Sequence, residues 1–240
     1  MPRRIFQVRF SLPKNSIPRI DQLFDPSLDA DIVPLIRKTE YSHIDVLPTG
    51  CALTNFDVSD QTQWEQSDLH FSLIEPITRM RNEYELIVFD CPPRLSVVSF
   101  AALCASDGVI IPMEAADWGA QGIMHVTGVI EYVQKHYNPR LRLLGYLVSR
   151  FKRTRRYQQS YLKQLRTHFG SLAFDSVVPD LALFERSVTD RIPITLYAPE
   201  SQEANIARDF FDEVQTRLHS RSQRRSRSRS HTQRKTIAAI

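Results

Sequence analysis

The sequence predicts a doubly wound α/β fold on a mostly parallel sheet. Three observations carry that expectation. Apolar runs of strand length alternate with segments of helical periodicity between His43 and Leu218. Several of the runs, Leu86–Phe89, Val109–Ile111 and Leu143–Val148 among them, are apolar throughout, as strands covered on both faces are. Prolines then stop strands at Pro48, Pro92 and Pro179. Sheets of this kind bind ligands at the carboxyl ends of their strands.

Each element can be justified in order. Arg4–Phe10 alternates enough for a short strand, within an N-terminal extension (residues 1–16) that the sequence does not place further. Ile17–Lys38 is acidic and helical in pieces, interrupted by Pro26 and Pro34. Ile44–Pro48 reads as a strand, 50–66 as polar loop, and Leu69–Met80 as a helix through Leu69, Leu73, Ile77 and Met80. A strand ends at Asp90 in Glu85-Leu-Ile-Val-Phe-Asp-Cys-Pro-Pro93. Then come a helix at Val97–Cys104, a strand at Gly108–Pro112, a helix at Ala120–His136 and a strand at Leu143–Val148. A helix at Gln158–Phe169, a strand at Phe174–Val178, a short helix at 182–190 and a longer one at Ser201–Leu218 complete the domain, 17–218. From 219 to 240 the Arg/Ser-rich tail cannot form a core and is expected to be disordered.

Composition narrows the class. With 240 residues and 42% hydrophobic content, one domain plus a tail is expected. Cys51, Cys91 and Cys104 lack disulfide or metal spacing, which points to a reducing cytoplasm. No apolar run approaches the ~18 residues of a membrane span, and no apolar signal core follows the first basic residues. The histidines show no ligand spacing. Trp64 and Trp118 read as packing residues.

The net charge of +4 conceals an asymmetry. Arg217–Ile240 holds eight Lys/Arg and no acid, and Lys135–His168 holds ten and no acid. Removing both leaves 31 − 18 = 13 basic residues against 27 acids, a balance of −14. One basic run is ordinarily a solvated helix face. Two on an acidic body favour sites for a polyanion.

The strand ending in Asp90-Cys-Pro-Pro resembles that of the ParA/MinD family of deviant Walker ATPases, its ParA-type partition proteins above all. The resemblance continues through Ala102-Leu-Cys-Ala-Ser-Asp107, Val109-Ile-Ile-Pro112, Gly122-Ile123, Leu144–Thr154 and Ile192–Ser201, with His43–Pro48 upstream. It runs in consistent order from Ile17 to Leu218. It implies a sheet of P-loop NTPase type that binds ATP and Mg²⁺. Asp90 would organise the Mg²⁺ water shell, and Pro92 and Pro93 would open the segment that responds to the γ-phosphate. Ser149, Pro179 and Asp180 would lie near the adenine. A carboxylate at the mouth of a parallel sheet can hold a hard cation against phosphates.

The departures are as informative. No G-x-x-x-x-G-K-[ST] loop occurs in the 240 residues, so the family's first strand–helix unit, and the aspartate strand after it, have no counterpart. Ser96 stands for a small Gly, Ala101 for an Asn, and Glu114 and Ala116 bracket a drifted Glu. Without loop amides and lysine most of the phosphate-binding energy is gone. This chain alone is expected to hydrolyse ATP very slowly or not at all.

The basic segment carries Arg150, Lys152, Arg153, Arg155 and Arg156 before a helix with Lys163 and Arg166, interleaved with Tyr157 and Tyr161. By the resemblance this part of the fold binds DNA without sequence preference, in a nucleotide-bound homodimer. A ParB-like centromere-binding partner would stimulate hydrolysis, on the nucleoid and not on a membrane. The tail adds a polyanion grip or none, and has no apolar face before Ile237. Three alternatives stay open: an ordinary partition ATPase whose start lies further upstream, a non-enzymatic DNA-binding or interaction module, and a relative that positions another cargo.

Overall fold

The computed structural model describes residues 5–10, 20–25, 28, 30–49, 53, 68–92, 95–115, 120–220 and 235–239. The strands are β1 (Ile5–Phe10), β2 (Arg37–Lys38), β3 (Ile44–Thr49), β4 (Leu86–Asp90), β5 (Gly108–Glu114), β6 (Arg142–Phe151), β7 (Ala173–Pro179) and β8 (Lys235–Ala239). The helices are α1 (Ile74–Met80), α2 (Val97–Ala105), α3 (Ala120–His136), α4 (Arg156–Phe169), α5 (Ala182–Thr189), α6 (Ile194–Tyr197) and α7 (Gln202–His219). They fall into two compact units, one of residues 1–109, 122–142 and 231–240, the other of 110–121 and 143–230.

In the first unit the strands run β2-β3-β1-β4-β8. β1 pairs parallel with β3 from Ile5↔Ile44 to Phe10↔Thr49, and with β4 from Phe6↔Ile87 to Val8↔Phe89. β8 pairs parallel with β4 from Leu86↔Lys235 to Asp90↔Ala239. Of these five strands only β2 runs antiparallel, to β3. Leu86, Ile87 and Phe89 are buried, as an inner strand requires. Every residue of α2 is buried, which suits a helix apolar on all sides. Buried Asp45 on β3 is held by Lys38 Nζ at 2.6 Å and by the Tyr84 hydroxyl at 2.7 Å.

Several expectations change here: β3 runs through Pro48 to Thr49 instead of stopping there, and the segment read as helical pieces up to Lys38 ends in strand β2. The helix expected over Leu69–Met80 divides into a 3₁₀ turn, Leu69–Phe71, and α1. Pro76 explains the break: it lacks an N–H, and beginning the helix at Ile74 places it in the first turn, where none is needed. The tail expected to be disordered over 219–240 holds β8, and α7 extends to His219. Composition averaged the β-branched and small residues Thr236-Ile-Ala-Ala239 into the Arg/Ser run before them. Thr236 is fully buried. The N-terminal extension likewise supplies β1. Residues 1–4 and 11–16, most of the 50–66 loop and tail residues 221–234 lie outside the described residues.

The second unit holds β5 from Ile110, β6 and β7 in that order, with α4 to α7. Its core joins Ala115, Val148, Phe151, Tyr161, Leu165 and Ala173, with Met113, Leu162, Phe169 and Val177 packed against them. The β6–β7 ladder is irregular: Val148↔Val177 is followed by Phe151↔Pro179, so three residues of β6 advance against two of β7. Arg150 takes a left-handed φ of 51° in this bulge.

Helix α7 is fastened to this sheet by Arg217. Its guanidinium donates to the carbonyls of Leu144, Ser171 and Ala173, each at 2.8 Å, and to Glu213 Oε1 at 2.7 and 3.0 Å. It also stands 4.1 Å from the ring centre of Phe174. Glu213 in turn accepts from the amides of Asp175 at 2.9 Å and Ser176 at 2.8 Å, capping successive N–H groups of β7. Among the described residues, no helix is long and apolar enough to cross a membrane.

Candidate functional site

In the first unit, β4 carries Asp90 to its carboxyl end, where the side chain is exposed while the strand behind it is buried. Parallel strands flank β4 on both sides, the arrangement that makes such an end a ligand-binding mouth. Burial, and then the charge of Asp90 beside it, push the Cys91 thiol up to about 12. At neutral pH Cys91 is therefore a thiol and a poor nucleophile. Pro92 comes next, half-buried; Pro93 lies outside the described residues. Ser96 heads α2 in an extended conformation, and its buried hydroxyl has no partner among the described residues.

Asp107, quoted above only as a motif position, is a hub of this unit. Both its carboxylate oxygens accept from Arg81, at 2.9 and 3.1 Å. Its Oδ2 also accepts from the Thr236 amide, and its own amide donates to the Thr236 carbonyl, both at 2.8 Å. This clasp fixes β8 beside β4.

The second unit brings together residues that the sequence reading divided between nucleotide and DNA. Ser149 Oγ donates to the Met113 carbonyl at 3.3 Å, joining β6 to β5. Arg150 pairs with Glu114 at 3.1 Å, and Lys152 pairs with Asp180 at 3.0 Å. The hydrogen bond from Lys152 outweighs desolvation, and with the charges of Lys152, Arg150 and Arg155 it holds Asp180 below the ordinary carboxylate range. Pro179 ends β7, and the Asp180 amide donates to the Phe151 carbonyl at 3.1 Å.

Glutamines on α4 set the shape of the basic loop. Gln158, buried, accepts from the Lys152 amide at 2.5 Å, and Gln159 donates to the Arg153 carbonyl at 2.5 Å. Arg155 sits at the N-cap and donates to the Tyr157 hydroxyl at 2.8 Å; Arg156 opens the helix, whose first turn has no acid. Arg166 donates to the Asp175 carbonyl at 2.9 Å. No acidic side chain pairs with Arg153, Arg156 or Lys163 among the described residues. A cleft of 810 Å³ is lined by Lys152, Arg153, Arg166, Pro179 and Asp180, together with Asp209 of α7.

Against a magnesium nucleotide the residues present fit only in part. Asp90 is a suitable carboxylate, but no cluster of three or more possible metal ligands occurs among the described residues, and the sequence holds no phosphate loop. No hydrolytic step follows from this set of residues.

The parallel sheet with covering helices and a carboxylate at a strand end defines an α/β fold of the P-loop ATPase class. A family profile described as "AAA domain" matches residues 13–143, more than half of the chain. The sporulation initiation inhibitor protein Soj of Bacillus subtilis is 25% identical over 186 residues, which cover 78% of this chain and 72% of Soj. The chromosome partitioning protein ParA of Caulobacter vibrioides is 27% identical over 169 residues, 70% of this chain and 63% of that relative. The chain thus spans less than two thirds of the length of the Caulobacter relative. Among solved structures, cobyrinic acid a,c-diamide synthase from Mycobacterium smegmatis with bound ADP and magnesium superposes with a TM-score of 0.72 at 17% identity. That superposition covers 95% of this chain and 87% of the synthase. The chain belongs to the ParA/MinD-type partition ATPase family.

Sequence reasoning missed Arg81, Asp107, Glu213 and Arg217 as structural centres. Asp107 had a signal: a lone acid directly after a helix of small apolar residues, with nothing local to bind.

Proposed function

We propose that this chain is a DNA-partition protein that binds duplex DNA without sequence preference, through Arg153, Arg155, Arg156 and Lys163 on the loop and helix α4. Arg150, Lys152 and Arg166 are already engaged by Glu114, Asp180 and the Asp175 carbonyl. One observation carries the reading. Arg155 and Arg156 occupy the amino-terminal end of α4, where the helix dipole is positive and the first turn holds no acid. Each cation there costs a few tenths of a kcal/mol or more, so helix stability does not account for them. Helix amides and guanidiniums at one helix end suit a phosphate backbone.

In this reading Asp90, with Pro92 and Pro93, is the chain's contribution to an ATP–Mg²⁺ site, and Ser149, Pro179 and Asp180 lie on the adenine side. The protein acts in the cytoplasm on the nucleoid, with a ParB-like partner and as a homodimer, and ATP does not gate its DNA binding.

Fluorescence anisotropy on two unrelated duplexes, across a salt series and with or without ATP–Mg²⁺, tests this. Equal affinity for both duplexes is expected, with a steep salt slope. Replacing Arg153, Arg155 and Arg156 together by Ala should flatten that slope by ~2–3, at ~0.9 per phosphate contact. Unchanged affinity would remove the DNA face from α4. Binding that strictly requires ATP would restore nucleotide control.

A further inference from the structure

Strand β8 belongs to the first unit but follows the second unit in the chain. The chain leaves the second unit after residue 230 and ends as a strand of the first. Between Ser220 and Lys235 lie fourteen residues with six arginines and no acid. At ~3.5 Å per residue, a segment of this length spans at most ~50 Å.

The slot that receives β8 is well specified. Five residues of β4 pair with it in register, Asp107 grips Thr236 at both its amide and its carbonyl, and Arg81 braces Asp107. All of these contacts are between β8 and residues of the first unit. None needs β8 to belong to the same chain.

We infer that the groove beside β4 is a strand-exchange site, in which Lys235–Ala239 of one copy docks beside β4 of a second copy as it does beside its own. Reciprocal exchange keeps every ladder bond and both Asp107 contacts, so it loses only the association entropy of two chains. Because Ala239 pairs with Asp90, an exchanged copy supplies the backbone at the edge of the partner's Asp90 mouth. The inference does not depend on DNA or nucleotide binding.

The register names the test, since Val88 pairs with Ile237. Full-length V88C and I237C chains, one of them ¹⁵N-labelled, are mixed at high concentration and oxidised mildly. The peptide pair disulfide-linked through the two introduced thiols is then identified by mass spectrometry, apart from any product of Cys51, Cys91 or Cys104. Each variant carries one new thiol, so every link between the introduced thiols of V88C and I237C joins two chains, and oxidation accumulates even a minor exchanged population. A labelled–unlabelled link that grows with concentration is the expected result. The V88C/I237C double variant reports the slot itself. If it closes only within one chain while the mixture gives no link, exchange is refuted. If neither links, the docked register is wrong and the inference falls with it. Circular dichroism melts confirm that each variant is folded before oxidation.

Discussion

Replacing Arg217 by Leu should cost this protein about 3 kcal/mol. The arginine is 17% exposed and its partner Glu213 is 16% exposed, so both lie well inside the surface. Substitution leaves the carbonyls of Leu144, Ser171 and Ala173 without their charged donor, and leaves Glu213 with its hydrogen bonds from Asp175 and Ser176 but no cation. Breaking one partner of a buried ion pair costs ~3–5 kcal/mol. The two retained amides and the partial exposure of the Ser171 carbonyl place the effect at the lower end. For a chain of this size ~3 kcal/mol lowers Tm by ~6–12 °C. Thermal melts by circular dichroism measure that shift, and urea titrations give the free energy. The R217L/E213Q double variant should be less than additive, because one network is removed twice. A loss under ~1 kcal/mol would show that α7 is held by its apolar contacts alone.

Three other outcomes are expected from the same structure. Burial works to raise the Glu213 pKa, but hydrogen bonds from Ser176, Asp175 and Arg217 outweigh it and hold it below its ordinary value of 4.5. Its stabilising contribution is therefore complete above pH 4.5 and is lost as pH falls through the lower folded value; E213Q should flatten the acid limb of a stability–pH curve. Gly145→Ala should destabilise by ~2–4 kcal/mol in urea titrations, because its φ of +146° is strained for any side chain and a Cβ would run into the Leu172 carbonyl. Cys91, with its thiol pushed up to about 12, should react with iodoacetamide at pH 7.5 at least tenfold more slowly in the folded protein than in urea, as read by peptide mass spectrometry.

Much of the architecture was legible because its signals are local. A wholly apolar strand such as Leu86–Phe89 has few other fates than an inner position in a sheet, and the helical spacing in Ala120–His136 is long enough to be decisive. Asp90 could be placed at a strand end from the prolines after it. What escaped depends on distance along the chain. Thr236 meets Asp107 across 129 residues and Arg217 meets Leu144 across 73, and no window of sequence contains both partners. β8 was hidden for a related reason: five residues beside a long polar run carry too little periodicity to outweigh their surroundings. The basic segment was read correctly as an acid-free stretch, yet its charges are not equivalent. Arg150 and Lys152 meet acids supplied by β5 and by the residue after β7, which a count along the segment does not see.

The bulge at Arg150 has a consequence for handedness of exposure. In an unbroken strand, Val148 and Phe151 would face opposite sides of the sheet, because side chains alternate. Here both enter the same core, so one extra residue in the chain resets which way it faces. Everything after it inherits the reset, including the orientation at which the loop of Lys152–Arg155 enters α4. Deleting Arg150 alone would remove one cation and the bulge together: Phe151 would then stand two residues after Val148, the regular spacing for one face, and its ring would stay in the core. For this protein, the extra backbone residue lets the strand present a cation at position 150 to solvent without turning the ring that follows it away from the core.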